Sequence, residues 1–208
     1  MHIVHPDVDK YLYAQLPKRD AVLAEMERHA KRHHVPIVGP AVGRMLFQLA
    51  QLIGAKRIFE MGSAIGYSTV WLARAAGEDA EIYYSDGDPA NAKRAREYFD
   101  RAGVTSRIHI GTGIAQEILR STPGDFDLIF NDVDKEQYPE VFRLAVPRIR
   151  SGGLFITDNT LWSGRVAKKA KDASTRAIQQ FNKMAYASKE LFPVLVPLRD
   201  GVLVCRKS

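Results

Sequence analysis

From residue 56 onward, short apolar runs alternate with stretches whose apolar residues recur at helical spacing, and no other feature narrows the fold as much. The runs 57–60, 81–85, 107–110, 126–131 and 154–157 read as strands, separated by helical stretches near 67–76, 89–102, 113–120, 136–149 and 173–187. A strand followed each time by a crossover helix predicts an α/β fold, a mostly parallel sheet with helices on both faces. The last two runs, 191–198 and 201–206, break the rule because only about Arg199-Asp200-Gly201 lies between them. That link is too short for a helix, so the pair is expected to be an antiparallel hairpin closing one edge, seven strands in all. Two amphipathic stretches, 18–33 and 40–53, precede the alternation, the second opened by Gly39-Pro40 with proline suited to a first helical turn. They are expected to cap the carboxyl end of the sheet or to form a subunit contact. One domain is expected over 1–208, a helical cap over 1–55 and the sheet core over 56–208.

Size and composition exclude several function classes. The 208 residues suit a single core, and with 46% apolar residues no run approaches the roughly 18 needed to span a bilayer. The start Met-His-Ile-Val-His-Pro-Asp lacks a secretory pattern, which points to the cytoplasm. Cys205 is the only cysteine, so it forms no intramolecular disulfide or cysteine-rich zinc site and reads as a small core residue. The net charge of +6 raises the question of nucleic acid, yet the basic residues fall in small groups. Lys31-Arg32, Lys93-Arg94-x-Arg96 and Lys168-Lys169-x-Lys171 read better as solvated surface. His29, His33 and His34 sit at a helix end, where they complement the dipole rather than complete a metal site. Trp71 reads as part of a core-facing helix stripe rather than a pocket.

Open sheets of this kind bind ligands beyond the carboxyl ends of their strands, where the strand order reverses. The first strand runs into Glu60-Met61-Gly62-Ser63-Ala64-Ile65-Gly66-Tyr67-Ser68, where glycines at 62 and 66 let a ligand approach the backbone at a helix start. The middle position is Ala64, so the full dinucleotide fingerprint is absent and a nicotinamide dehydrogenase is disfavoured. The second strand ends Ser85-Asp86-Gly87-Asp88-Pro89. Asp86 is the candidate acid for ribose hydroxyls, and Asp88 suits a helix amino cap. The third ends Gly111-Thr112-Gly113-Ile114-Ala115-Gln116, small and apolar enough to lie against an adenine ring. The fourth and fifth finish Asn131-Asp132-Val133-Asp134-Lys135 and Thr157-Asp158-Asn159. Asp132, Asp158 and Asn159 offer three oxygens suited to a hard cation with open positions, best Mg²⁺, with Mn²⁺ or Ca²⁺ as alternatives. Lys135 stands beside them as a candidate general base.

Together these residues resemble the cation-dependent O-methyltransferases that include catechol O-methyltransferase and caffeoyl-coenzyme A O-methyltransferase. The similarity runs from about Val35 to the carboxyl terminus. It rests on Glu60-x-Gly62-x-x-x-Gly66-Tyr67-Ser68, Asp132-Val133-Asp134-Lys135-x-x-x-Tyr138, Gly152-Gly153 leading to Asp158-Asn159-Thr160-Leu161-Trp162, and Asp200-Gly201. The resemblance implies a Rossmann-like class I methyltransferase fold, S-adenosylmethionine as methyl donor, and a homodimer. It implies that Glu60, Gly62 and Ser68 line the methionine end of the donor, Asp86 holds the ribose, and Gly113, Ile114 and Ala115 border the adenine. Val38 and Gly39 match a segment that closes over the donor, and Asp132 serves donor and cation sites alike. Asp132, Asp158 and Asn159 then bind the cation, Lys135 takes the proton, and the acceptor is a small molecule with vicinal, catechol-like hydroxyls. Three departures concern the acceptor: Asn131 replaces an apolar residue, no substrate-binding acid aligns near the end, and the loop from Trp162 to Lys171 carries no diagnostic pattern. Methylation of a tRNA hydroxyuridine and a non-catalytic donor-binding module are the alternatives.

Overall fold

The computed structural model describes residues 3–208. Its core alternates β1 (Arg57–Met61), α4 (Tyr67–Ala76), β2 (Glu81–Asp86), α5 (Pro89–Ala102), β3 (Ile108–Thr112), α6 (Ala115–Ser121), β4 (Phe126–Asn131), α7 (Tyr138–Ala145), β5 (Ile149–Thr157) and α8 (Ala173–Ala187). A hairpin of β6 (Leu191–Val196) and β7 (Val202–Lys207) ends the chain. The strands form one sheet in the order β3-β2-β1-β4-β5-β7-β6, in which β7 alone runs against its neighbours. The order reverses between β1 and β4, which places the crevice expected of a doubly wound sheet between their carboxyl ends.

Both faces of the sheet are covered, and the strand sequences explain how. Successive side chains alternate between faces. Ile58, Ile82, Tyr84, Leu128, Phe130, Leu154 and Ile156 join one apolar cluster, while Phe59, Met61, Ile129, Phe155, Leu203 and Cys205 join the other. At about 25 cal/mol per Å² of apolar surface buried, these two clusters dominate the stability of the fold. Cys205 is buried as expected, and burial pushes its thiol pKa up to about 12.

Three helices precede β1: α1 (Pro6–Ala14), α2 (Ala21–His33) and α3 (Gly39–Leu52). Asp20 caps α2 through Val22 and Leu23 N–H, and Leu23, Met26, Val42, Leu46 and Ala50 bury themselves with α4 and α5. The pair therefore lies on a face of the sheet, and its connection through Pro36–Val38 is what reaches the strand ends. The α1 helix was absent from the periodicity because it buries no residue, although proline follows its His5 cap. The expected helix over 136–149 is shorter: α7 gives way to a 3₁₀ turn at Val146–Arg148, and β5 begins at Ile149, five residues before the expected 154. Gly152, with φ of 77°, interrupts the apolar run there and hides the strand's first half.

Trp71 corrects one expectation. It packs against the first cluster but also borders a shallow groove with Arg44, Met45, Phe47 and Gln48, because Gly43 leaves room for its ring. His29 and His33 lie with ring centroids 4.4 Å apart and planes tilted by 34°, and His34 takes the left-handed cap of α2. Among the described residues no helix is long and apolar enough to cross a membrane.

Candidate active site

The carboxyl ends of β1, β2, β3 and β4, with the loop after β5, surround a cavity of about 690 Å³. Val38, Gly62, Ser68, Asp86, Gly113, Ile114, Ala115, Asp132, Lys135 and Asn159 all line it. Glu60 and Asp158 do not; both lie fully buried behind its wall.

The turn after β1 is shaped by the closeness of β4. Gly62 has φ of 81°, and a Cβ there would lie 2.6 Å from the Asp132 carbonyl oxygen. Glycine is thus demanded twice, by backbone conformation and by space. The turn is then tied to β2, with the N–H groups of Gly62 and Ser63 donating to Ser85 O at 3.1 and 2.9 Å. Asp86 draws three donors at once: Ala64 N–H at 2.8 Å, Asp88 N–H at 2.9 Å and the Asn91 amide at 3.0 Å. Its carboxylate is held at the cavity wall, while Asp88 turns away to cap α5 through Ala90 N–H. Ile114 stands 57% exposed on the rim, a flat apolar surface suited to a ring. Two residues on, Gln116 donates to Gln137 at 2.9 Å, joining α6 to the turn before α7.

Glu60 points into the protein, where Thr69 donates to one of its oxygens and the other has no partner among the described residues. Burial pushes its pKa up to about 7, against the pull of the Ser68, Thr69 and Ser63 hydroxyls.

At the other end of the cavity, Lys135 Nζ donates to Asp132 Oδ1 at 2.8 Å and to Val133 O at 3.1 Å. Tyr138 lies beneath it, 5.3 Å from ring centroid to Nζ, and donates its hydroxyl to Asp158 O at 2.9 Å. Asp158 Oδ2 receives Arg199 Nη1 at 3.2 Å, and Oδ1 has no hydrogen-bond partner among the described residues. Burial, then the nearby charge of Asp132, pushes the Asp158 pKa up to about 7, with Arg199 opposing. Asn159 adopts φ of 57°, a left-handed backbone that asparagine tolerates and that accompanies its place on the cavity wall. A donor set of two carboxylates and a carboxamide, one buried oxygen unpartnered, fits a hard cation. Among the described residues no cluster of three or more histidine, cysteine or acidic side chains is set for a metal, and this set holds only two.

Sequence reasoning missed Arg199 and Gln137, which also line the cavity. Arg199 was visible only as part of a hairpin link, since no local pattern says that the tip of that hairpin reaches across to β5.

A sheet with a reversed β7, a glycine turn after β1 and an acid ending β2 is the Rossmann-like arrangement of methyltransferase folds. The chain belongs to the O-methyltransferase family, whose model matches residues 15–208, and so to the S-adenosylmethionine-dependent enzymes expected from its sequence. It is 36% identical over 192 residues to a catechol O-methyltransferase of Niastella koreensis, covering 89% of this chain and 87% of that protein. An O-methyltransferase from Bacillus cereus, solved in complex with SAH, superposes with a TM-score of 0.87 at 27% identity, covering 97% of both chains. An O-methyltransferase of tomaymycin synthesis from Streptomyces achromogenes, solved with SAM, gives 0.88 at 27% identity, covering 97% of this chain and 96% of that one.

Proposed function

We propose that this O-methyltransferase acts on a small acceptor with vicinal hydroxyls, using a divalent cation held by Asp132, Asp158 and Asn159. One observation carries the proposal: Lys135, Asp132 and Asn159 line one cavity with Gly62, Asp86 and Ile114, and an Asp158 oxygen with no partner among the described residues lies buried behind them. The glycine turn, the Asp86 carboxylate and the rim at Gly113–Ala115 would hold the methionine, ribose and adenine parts of S-adenosylmethionine. When bound, a divalent cation supplies Lewis acidity that favours the ionised form of an acceptor hydroxyl. As the neutral amine, Lys135 would spend its two N–H bonds on Asp132 and Val133 O and keep its lone pair to take the acceptor's proton. Transfer from sulfonium to oxygen then depends mainly on alignment, and the stiff strand ends serve that need. The catechol activity named for the Niastella koreensis relative agrees with this acceptor class.

Methyl transfer from labelled S-adenosylmethionine, run on a catechol panel and on bulk tRNA with Mg²⁺ or excess chelator, tests the proposal. Transfer to catechols that chelator abolishes is expected. Full transfer in chelator would refute the cation's role, and transfer confined to tRNA would refute the acceptor class.

A further inference from the structure

The hairpin tip between β6 and β7 is fastened to the loop after β5. Thr160 N–H donates to Gly201 O and Leu161 N–H to Asp200 O, both at 2.9 Å, and Ser163 N–H donates to the Asp200 carboxylate. The fit is close, because a Cβ on Gly201 would strike Leu161. Within this latch Arg199 takes φ of 52°, a left-handed conformation that costs a non-glycine residue of this size something. What the latch achieves is to aim the Arg199 guanidinium into the cavity and onto Asp158.

The two carboxylates at the strand ends are therefore each matched with a cation from the chain itself. Lys135 serves Asp132 and Arg199 serves Asp158. The Asp158 side chain is 0% exposed and that of Arg199 is 36% exposed, so the pair spans the cavity wall. The contact is a single Nη1 bond at 3.2 Å rather than the two-pronged pairing a guanidinium prefers, a weak hold that another cation can displace. An arginine beside a divalent-cation site acts against the ion twice, by occupying a ligand oxygen and by charge repulsion.

We infer that Arg199 is a built-in competitor for the divalent cation: its guanidinium neutralises Asp158 in the cation's absence and sets the cation affinity low. The inference rests on Asp132, Asp158 and Asn159 being the ligand set proposed above. Its consequence is that the ligand loop stays ordered without the ion, while occupancy follows the free cation concentration. Arg199 thus acts on affinity through Asp158, as a positioning residue.

The experiment is calorimetric titration of Mg²⁺ into the full chain saturated with SAH, near pH 8.5 to limit competition from protons. Arg199→Gln removes the charge and keeps the length, and Arg199→Asn is a second neutral variant whose side chain tolerates left-handed backbone. Arg199→Lys keeps the charge. The neutral variants should bind Mg²⁺ on the order of tenfold more tightly than the wild type, about 1.4 kcal/mol, with SAH affinity unchanged. Arg199→Lys should stay close to the wild type. Equal Mg²⁺ affinity in wild type and neutral variants, or tight binding by Arg199→Lys, would overturn the competitor role and leave the ligand set standing. SAH binding in every variant with Mg²⁺ binding in none would overturn the ligand set and the competitor together.

Discussion

The two halves of the cavity are built on different terms. In the half formed by β1, β2 and β3, the backbone and short side chains satisfy one another: Asp86 accepts three hydrogen bonds, and Ser85 O accepts two. Most of its left-handed positions fall on glycine, at 62, 66 and 113, with Ala64 the exception. In the half formed by β4, β5, the loop that follows and the hairpin tip latched to it, Asn159, Trp162, Ser163 and Arg199 all have positive φ. Asn131, Asp158, Thr160 and Trp162 there each leave a buried polar atom unpartnered among the described residues. Unsatisfied polar groups and non-glycine strain persist where the surroundings impose them, and they gather at working sites. The first half is largely satisfied within itself, whereas the second leaves polar atoms unpartnered among the described residues; under the proposed function the first would hold the donor and the second the cation and acceptor.

The sharpest way to break that contrast is Lys135→Met. Turnover should fall on the order of a thousandfold while SAH affinity stays within about twofold, measured by labelled methyl transfer and calorimetry. A parallel loss of SAH binding would mean that the halves are not separable.

Gly62→Ala attacks the junction instead. With φ of 81° and a Cβ 2.6 Å from Asp132 O, β1 and β4 must move apart. Stability should drop by about 3 kcal/mol and both SAH binding and turnover should suffer, as read by urea unfolding and titration. A variant as stable as the wild type would show that the two strand ends are not held in register there.

Glu60 leaves a buried oxygen unpartnered, among the described residues, behind the half formed by β1, β2 and β3. Its folded pKa of about 7 lies above the ordinary value of 4.5, so the folded chain keeps a proton that the unfolded chain releases. No penalty exists below the ordinary value; it grows as pH rises toward 7 and stays constant above. Glu60→Gln should therefore raise stability by about 2 kcal/mol near pH 8 and change little near pH 4. An equal gain at both pH values would show that titration is not the cause.

Much of this molecule was legible in the chain. The glycine turn, Asp86 and the segment at 113–115 each line the cavity where they stand in sequence, next to the strand that carries them. Asp132, Lys135, Asp158 and Asn159 were legible for the same reason, each lying at or just beyond a strand end. The α1 helix was not, because it buries nothing and so has no apolar stripe to announce it. The first half of β5 was hidden by Gly152 and Gly153, which remove the apolar run that marks a strand.

Sequence alone determined the alternation of strand and helix, the hairpin, and which residues stand at the strand ends, since periodicity and turn chemistry are local properties. Only the tertiary structure decided that β7 inserts between β5 and β6, that Glu60 faces inward, and that Arg199 crosses to Asp158. Those outcomes depend on contacts between residues far apart in the chain, such as Leu154 with Arg206 and Asp158 with Arg199, where packing and charge pairing choose among arrangements that local preferences leave equal.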